Sequence, residues 1–201
     1  GYGYSDIETK LPFTPHTVMN IASISKTFVG VALMHLVEKG LIDLDDDVNT
    51  FLPFKVLNPH LPESIITPRH LMSHSSGIKD DQKVYLPSYH YGGDSPTPLG
   101  EFLADYLSPN GTHYSKNNFT KSKPGENFVY SNIGAGLAGY IVERVSGKPL
   151  NIFTREIIFK PLGMNNTCWF LSEMDRAKHS QLYESKKYNN EKKNCHHYTY
   201  I

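Results

Sequence analysis

The sequence lacks several features that would place it in a specialised class of protein. It has two cysteines, Cys168 and Cys195, in 201 residues, too few for a disulfide framework. Its formal net charge is zero and no basic stripe appears, which argues against nucleic acid or an anionic membrane surface as a partner. No apolar run is long enough to span a bilayer. The length favours a single domain over 1–201, with a sizeable core.

Helical periodicity dominates the middle of the chain. Apolar spacing and end signals predict five helices. They cover residues 23–39, 67–77, a segment from 97 to before 108, 132–147 and 152–159, and a polar loop at 108–125 follows the third helix. Thr67 and Thr97 are the expected N-caps, each followed by proline. Residues 1–21 are expected to be extended, with a turn near Leu11-Pro12, and the charged tail from Lys186 onward to be a loop or a disordered end. The predicted division is 1–21 as lead-in strand, 22–170 as mainly helical and 171–201 as polar tail.

Chemistry is concentrated where the first helix begins, at Ser23 and Lys26. A serine and a lysine three positions apart at a helix start lie on one face, one turn apart. Serine is a poor nucleophile until a neighbouring base removes its proton, and a lysine at this spacing can serve. The positive end of the helix dipole favours negative charge developing at the hydroxyl.

A second group, Tyr130-Ser131-Asn132, opens the fourth helix. Side chains two apart in extended backbone point the same way, so the phenol and the amide are expected to face one site. The phenol of Tyr130 can relay a proton, and the amide of Asn132 can hold an amide group of a substrate.

Both short motifs occur twice. Ser76 and Lys79 repeat the S-x-x-K spacing, but Gly77 lies between them at a predicted helix end, so their side chains should not share a helical face. Residues 188–190 repeat Y-x-N in the polar tail with no helix behind them. Context therefore favours Ser23, Lys26, Tyr130 and Asn132. Taken alone, each pair is equally consistent with a helix cap and a solvated lysine, or with a buried tyrosine and an N-cap asparagine.

With these motifs, residues 21–28 (Ile-Ala-Ser-Ile-Ser-Lys-Thr-Phe) resemble the active-site helix start of the serine β-lactamase and penicillin-binding protein superfamily. The Y-x-N motif is similar to that of class C β-lactamases, D-alanyl-D-alanine carboxypeptidases and related esterases. Further segments resemble family landmarks in family order, at residues 3–6, 71–77, 123–125, 143–147 and 161–164. The resemblance covers roughly residues 1–170, and several ordered motifs are more specific than any one of them.

The resemblance implies an α+β fold of the β-lactamase/transpeptidase type, with a helical lobe and part of an antiparallel-sheet lobe. It implies a serine hydrolase in which Ser23 forms an acyl-enzyme, Lys26 and Tyr130 share the general-base role, and Asn132 orients the substrate. The substrate is a small molecule or peptide: a β-lactam, a D-Ala-D-Ala peptide or an ester. No metal or organic cofactor is needed. Cell-wall relatives favour a location outside the cytoplasm, while the oligomeric state stays open.

One expected element has no match in the sequence. The family carries a third motif, K-T-G or H-x-G, on a strand that walls the site and supplies an oxyanion-hole donor besides the Ser23 N–H. After Tyr130, no glycine has Lys or His two positions before it. We therefore expect a sequence cut at both ends, poorly folded or inactive on its own, since losing one such donor costs about a hundredfold in rate. The alternative is a non-catalytic binding or scaffold protein that keeps the fold.

Two other histidine-containing groups are given structural interpretations. His74 is expected to bond the last carbonyls of its helix and not to form a triad with Ser23. Cys195-His196-His197 lacks partners at metal-ligand spacing, so a metal site is not predicted there.

Overall fold

A computed structural model describes residues 1–91, 93–184, 193–195 and 198–199, and these form a helical body with short antiparallel strand pairs. The helices are α1 (Lys26–Glu38), α2 (Pro68–Met72), α3 (Gln82–Tyr85), α4 (Leu99–Leu107), α5 (Asn132–Ser146) and α6 (Leu150–Thr154), the last continuing into a π-helical turn, Arg155–Phe159. The strands are β1 (Tyr4–Asp6), β2 (Leu11–Pro12), β3 (His90–Tyr91), β4 (Leu182–Glu184), β5 (Lys193–Cys195) and β6 (Tyr198–Thr199).

The core forms where α1 packs against α5. Ala32 and Leu33 of α1, and Leu137 and Ile141 of α5, are fully buried. Gly139 of α5 makes room for α6, because a Cβ there would lie 3.2 Å from Leu150 Cδ2, while Val29 of α1 would be at an ordinary contact distance of 3.9 Å. The packing of α1 against α5 sets the position of the first residue of α1 relative to the first residue of α5.

Helix ends follow the capping signals at most positions. The Thr67 hydroxyl accepts from the His70 N–H, and Pro68 is the first residue of α2. Gly40 (φ +68°) lies just beyond α1, and Gly147 (φ +68°) closes α5, both in the left-handed conformation that glycine adopts without a Cβ clash. The end signals therefore predict three of these boundaries.

Several predicted boundaries are wrong. The first helix starts three residues late, because Ala22–Ser25 form a 3₁₀ turn instead. The second ends at Met72, five residues before Gly77, because His74 takes a positive φ of 53°. At α4, Pro98 and not Thr97 is the N-cap residue, without a side-chain cap bond.

Three further differences concern the ends of the chain and the last helix. The last helix begins at Leu150, two residues before the prediction. Leu11-Pro12, expected to be a turn, is strand β2 paired with β1. The tail, expected to be a loop or a disordered end, contains β5 paired with β4, and β6 paired with β3, since backbone pairing does not need an apolar pattern. The Y-x-N repeat at 188–190 lies outside the described residues.

One side of α1 carries exposed apolar side chains. Ile24, in the preceding turn, and Val31 and Met34 are each about half exposed or more. Among the described residues, no helix is both long and apolar enough to cross a membrane.

Candidate active site

The start of α1 brings Ser23 and Lys26 together. Ala22–Ser25 form the 3₁₀ turn and Lys26 is the first residue of α1, so the two side chains lie one turn apart. Lys26 Nζ donates a hydrogen bond to Ser23 Oγ over 3.1 Å. Ala22, directly before the serine, has a φ of +48°, a left-handed conformation that is uncommon for residues other than glycine and that clusters at functional sites.

The start of α5 supplies the other two predicted residues. Tyr130 OH donates to Ser23 Oγ over 2.7 Å, and Asn132 Oδ1 accepts from Lys26 Nζ over 2.7 Å. Ser131 between them is extended (φ −139°, ψ 122°), which places the phenol and the amide on the same side. All four predicted residues therefore meet in one cluster, called here the serine site: Ser23, Lys26, Tyr130 and Asn132.

The helix cap is not the residue that the sequence suggested. Ser131, buried, is the N-cap of α5, and its hydroxyl accepts from the Gly134 N–H over 2.9 Å. Asn132 is the first residue of the helix, and both ends of its amide have side-chain partners. The amide is thus fixed within the serine site and not used as a cap.

The surroundings of Tyr130 lower the pKa of its phenol. Burial raises the pKa of its phenol, but hydrogen bonding to Lys26 and Ser23 and the Lys26 charge outweigh it, so this pKa lies below its usual value of 10. Lys26 Nζ lies 5.1 Å from the centroid of the Tyr130 ring. The phenol within hydrogen-bond reach of Ser23 therefore gives up its own proton more readily than an ordinary tyrosine, which suits a proton relay.

His74 contacts the serine site through the residue between Tyr130 and Asn132. The sequence predicted that its ring would bond the last carbonyls of α2, and this prediction is wrong, because the ring bonds the backbone of Ser131 instead. Its Nδ1 accepts from the Ser131 N–H over 3.2 Å, and its ring lies 4.5 Å, centroid to centroid, from that of Tyr130. A backbone N–H donates only to an unprotonated nitrogen, so the ring is neutral in this arrangement. Burial and the Lys26 charge lower the pKa of His74, which suits that requirement.

Asp80 is the residue that the sequence reasoning missed. Its carboxylate accepts from the Ser131 hydroxyl (2.9 Å), the Asn132 and Ile133 N–H groups (2.9 and 3.1 Å) and Asn132 Nδ2 (2.8 Å). In the sequence it follows the S-x-x-K repeat at residues 76–79 as one of two adjacent aspartates, and no local signal relates it to a helix 52 positions further on.

The serine site is open to solvent on its hydroxyl side. Ser23 and Tyr130 are both exposed, so a carbonyl group can reach the serine. A cavity of about 210 Å³ lies next to Lys26, between α1, α2 and α5, which is smaller than a typical pocket for a drug-sized ligand. A substrate would therefore be held mainly on the open side.

Within the described residues, no group of three or more His, Cys, Asp or Glu side chains is arranged to hold a metal ion. His196 and His197, part of the Cys-His-His sequence considered above, lie outside the described residues.

The chain is similar in sequence and in fold to known proteins. The Beta-lactamase family profile matches residues 1–196. Protein flp of Staphylococcus aureus (strain MRSA252) is 31% identical over 182 residues, which are 90% of this chain and 34% of that protein. The chain thus spans about a third of the length of the curated relatives it matches.

Two solved structures share the fold over nearly the whole chain. The octameric penicillin-binding protein homologue from Pyrococcus abyssi superposes with a TM-score of 0.72 and 31% identity, over 97% of this chain and 42% of that one. D-amino acid amidase from Ochrobactrum anthropi SV3, complexed with L-phenylalanine amide, gives a TM-score of 0.70 and 27% identity, over 93% and 49%. The predicted fold, a helical lobe with part of an antiparallel-sheet lobe, is confirmed by these likenesses.

Proposed function

Because this chain belongs to the β-lactamase family, within the superfamily of serine β-lactamases and penicillin-binding proteins, we propose that it is a serine hydrolase acting through an acyl-enzyme. The observation that carries the proposal is the convergence on one oxygen: Ser23 Oγ lies 3.1 Å from Lys26 Nζ and 2.7 Å from Tyr130 OH. A solvated lysine and a buried tyrosine, the structural interpretations of these residues, would not both contact the same exposed serine.

In the proposed reaction, Ser23 Oγ attacks a substrate carbonyl carbon and a new C–O bond forms. The Lys26–Tyr130 pair, once it has lost one of its own protons, accepts the serine proton and then gives a proton to the leaving nitrogen or oxygen as the bond from that atom to the carbonyl carbon breaks. Water then attacks the acyl-enzyme and releases a carboxylic acid, which regenerates the serine. Since Lys26 and Tyr130 are within interaction distance of each other, the proton belongs to the pair and the general-base role is assigned to both together.

The negative charge on the carbonyl oxygen needs donors placed in advance. The Ser23 N–H, at the first turn before α1, is the proposed donor within this chain, assisted by the positive end of the helix. The residue that supplies the second donor is not assigned in this chain.

The substrate is proposed as an amide, a β-lactam or an ester, which all present a carbonyl to the same groups. The likeness to a penicillin-binding protein homologue and to an amidase supports an amide-type substrate such as a D-Ala-D-Ala peptide or a β-lactam. Steady-state assays of the full-length protein with nitrocefin, a D-Ala-D-Ala peptide and a p-nitrophenyl ester would decide among the three.

The test of the nucleophile compares two serines in the full-length protein. A fluorescent penicillin and a fluorophosphonate probe should label the wild type, and Ser23→Ala should abolish labelling, by about 10⁴-fold or more, since removal of a nucleophile leaves only binding and oxyanion stabilisation. The control is Ser76→Ala, which changes the serine of the other S-x-x-K copy and should keep labelling.

Labelling that survives Ser23→Ala would remove Ser23 from its role. A folded wild type that no probe labels and that hydrolyses none of the three substrates would instead support the non-catalytic scaffold.

A further inference from the structure

We infer that Asp80 is a positioning residue of the serine site, which fixes the orientation of the Asn132 amide and through it the position of Lys26. The inference rests on the proposed function, because Lys26 matters only if Ser23 reacts. Asp80 touches neither the serine nor the lysine in the hydrogen bonds described above, so its effect must pass through Asn132.

The orientation argument follows from which atoms donate and which accept. A carboxylate can only accept and an ammonium can only donate. Asn132 Nδ2 donates to Asp80 Oδ2 over 2.8 Å, and Asn132 Oδ1 accepts from Lys26 Nζ over 2.7 Å. The amide therefore has one orientation that satisfies both neighbours, and rotating it by 180° would place its NH₂ against Lys26 and its oxygen against Asp80.

The same carboxylate fixes the backbone from which Asn132 projects. Asp80 Oδ2 also accepts from the Asn132 N–H, and Oδ1 from the Ile133 N–H and the Ser131 hydroxyl. A negative charge at the start of a helix is favourable, so the carboxylate stabilises the beginning of α5 as well. Asp80 is half-buried, which protects these bonds from competition with water.

The result is a continuous chain of donors and acceptors: Asp80, the Asn132 amide, Lys26 and Ser23. Each link depends on the one before it. If Asp80 becomes asparagine, one of its two oxygens becomes an NH₂, which cannot accept from the Asn132 donors at one position or from the Ile133 N–H at the other. With the NH₂ toward Asn132, the Asn132 amide gains by rotating, and Lys26 then loses its acceptor and its position against Ser23.

The experiment measures the rate of Ser23 acylation by the fluorescent penicillin in Asp80→Asn of the full-length protein. Small misplacements of a catalytic group cost up to about a hundredfold, so we expect the maximal acylation rate to fall by about 10- to 100-fold with little change in the probe concentration at half-maximal rate. Asp81→Asn is the matched control, because this substitution removes the same charge one residue further along the chain. Asp81 is also half-buried, and it caps α3 by accepting from the Lys83 N–H. Its acylation rate should stay within about threefold of wild type.

A double-mutant cycle separates action through Asn132 from a general loss of structure. Sites that act through one another are non-additive, so Asp80→Asn should slow acylation by less than about threefold when added to Asn132→Ala. A fall by the same 10- to 100-fold in that background, or a wild-type rate in Asp80→Asn alone, would overturn the inference.

An activity-independent measurement covers the case in which Asp80→Asn fails to fold. In ¹⁵N-labelled wild-type protein, the side-chain amide of Asn132, assigned by its loss in Asn132→Ala, should give two separate proton signals protected from solvent exchange. Freely exchanging signals at positions typical of a solvated amide would refute the inference. If the proposed function fails instead, labelling is absent or survives Ser23→Ala, and this amide signal is unaffected.

Discussion

The two S-x-x-K copies differ in what joins the serine to the lysine. In the first, a 3₁₀ turn leads into α1, and Lys26 Nζ reaches Ser23 Oγ at 3.1 Å. In the second, Gly77 takes a φ of +78°, the buried Ser76 hydroxyl accepts from the Ile78 N–H, and Lys79 is exposed. The same letters thus give a hydrogen-bonded pair only where a helical turn places both side chains on one face.

The residues that flank the second copy nevertheless contact the serine site. His74, two residues before Ser76, accepts from the Ser131 N–H, and Asp80, directly after Lys79, binds Ser131, Asn132 and Ile133. The second copy, at residues 76–79, therefore lies in the segment that holds the Y-x-N group against Ser23.

The largest effect on the acylation rate should come from replacing the lysine of the first copy, with the lysine of the second copy replaced separately for comparison. Lys26→Met removes a proton-transfer group, so we expect the acylation rate to fall by roughly 10²- to 10⁴-fold. Lys79→Met, the same change in the other copy, should leave the rate within about twofold. Both rates are measured with the fluorescent penicillin on the full-length protein, and a similar loss in both variants would contradict the distinction between the copies.

A smaller effect should come from Gly77, which lies between the serine and the lysine of the second copy. Gly77→Ala forces a Cβ onto a residue at φ +78°, where it would lie 2.9 Å from Thr120 Oγ1. We expect the free energy of unfolding to fall by about 1–3 kcal/mol, measured by urea denaturation. Gly40→Ala is the control, since φ there is +68° with nothing within 4 Å of a Cβ. It should cost only about 1 kcal/mol. Equal losses would show that the Thr120 contact is unimportant.

The smallest effect concerns the pH dependence of His74. Because burial and the Lys26 charge lower its pKa from 6.5 in the folded state, the unfolded chain binds the proton first as pH falls. The stabilisation is therefore complete above about pH 6.5 and is lost below it. Protonation also removes the acceptor for the Ser131 N–H, a bond worth up to about 1 kcal/mol. Asp80 opposes the shift, and the Tyr130 and Phe128 rings flank the imidazole.

His74→Asn sharpens this test, because its Oδ1 replaces Nδ1 as the acceptor without titrating, and asparagine tolerates a positive φ. Denaturation curves between pH 7 and 5 should show wild type losing stability relative to the variant. Parallel curves would mean that His74 does not titrate in this range.

Local signals predict much of the helical framework and fail at particular points. Thr67 with Pro68, and the glycines at 40 and 147, mark boundaries that the structure keeps, since capping depends on neighbours within one turn. Strands β5 and β6 were missed because backbone pairing in this polar tail leaves no apolar pattern in the sequence. The early end of α2 was missed because the positive φ of His74 accompanies its contacts with Tyr130 and Ser131.

The serine site shows the same division. The sequence by itself determined the two pairs for which we propose the chemistry, because Ser23 and Lys26 lie one helical turn apart, and Tyr130 and Asn132 project together from extended backbone. Only the tertiary structure decided that the two pairs meet, since packing of α1 against α5 sets the 2.7 Å contacts between them. The tertiary structure also decided that Asp80 bonds the start of α5. These hydrogen bonds depend on positions in space, and no periodic pattern in the sequence predicts them.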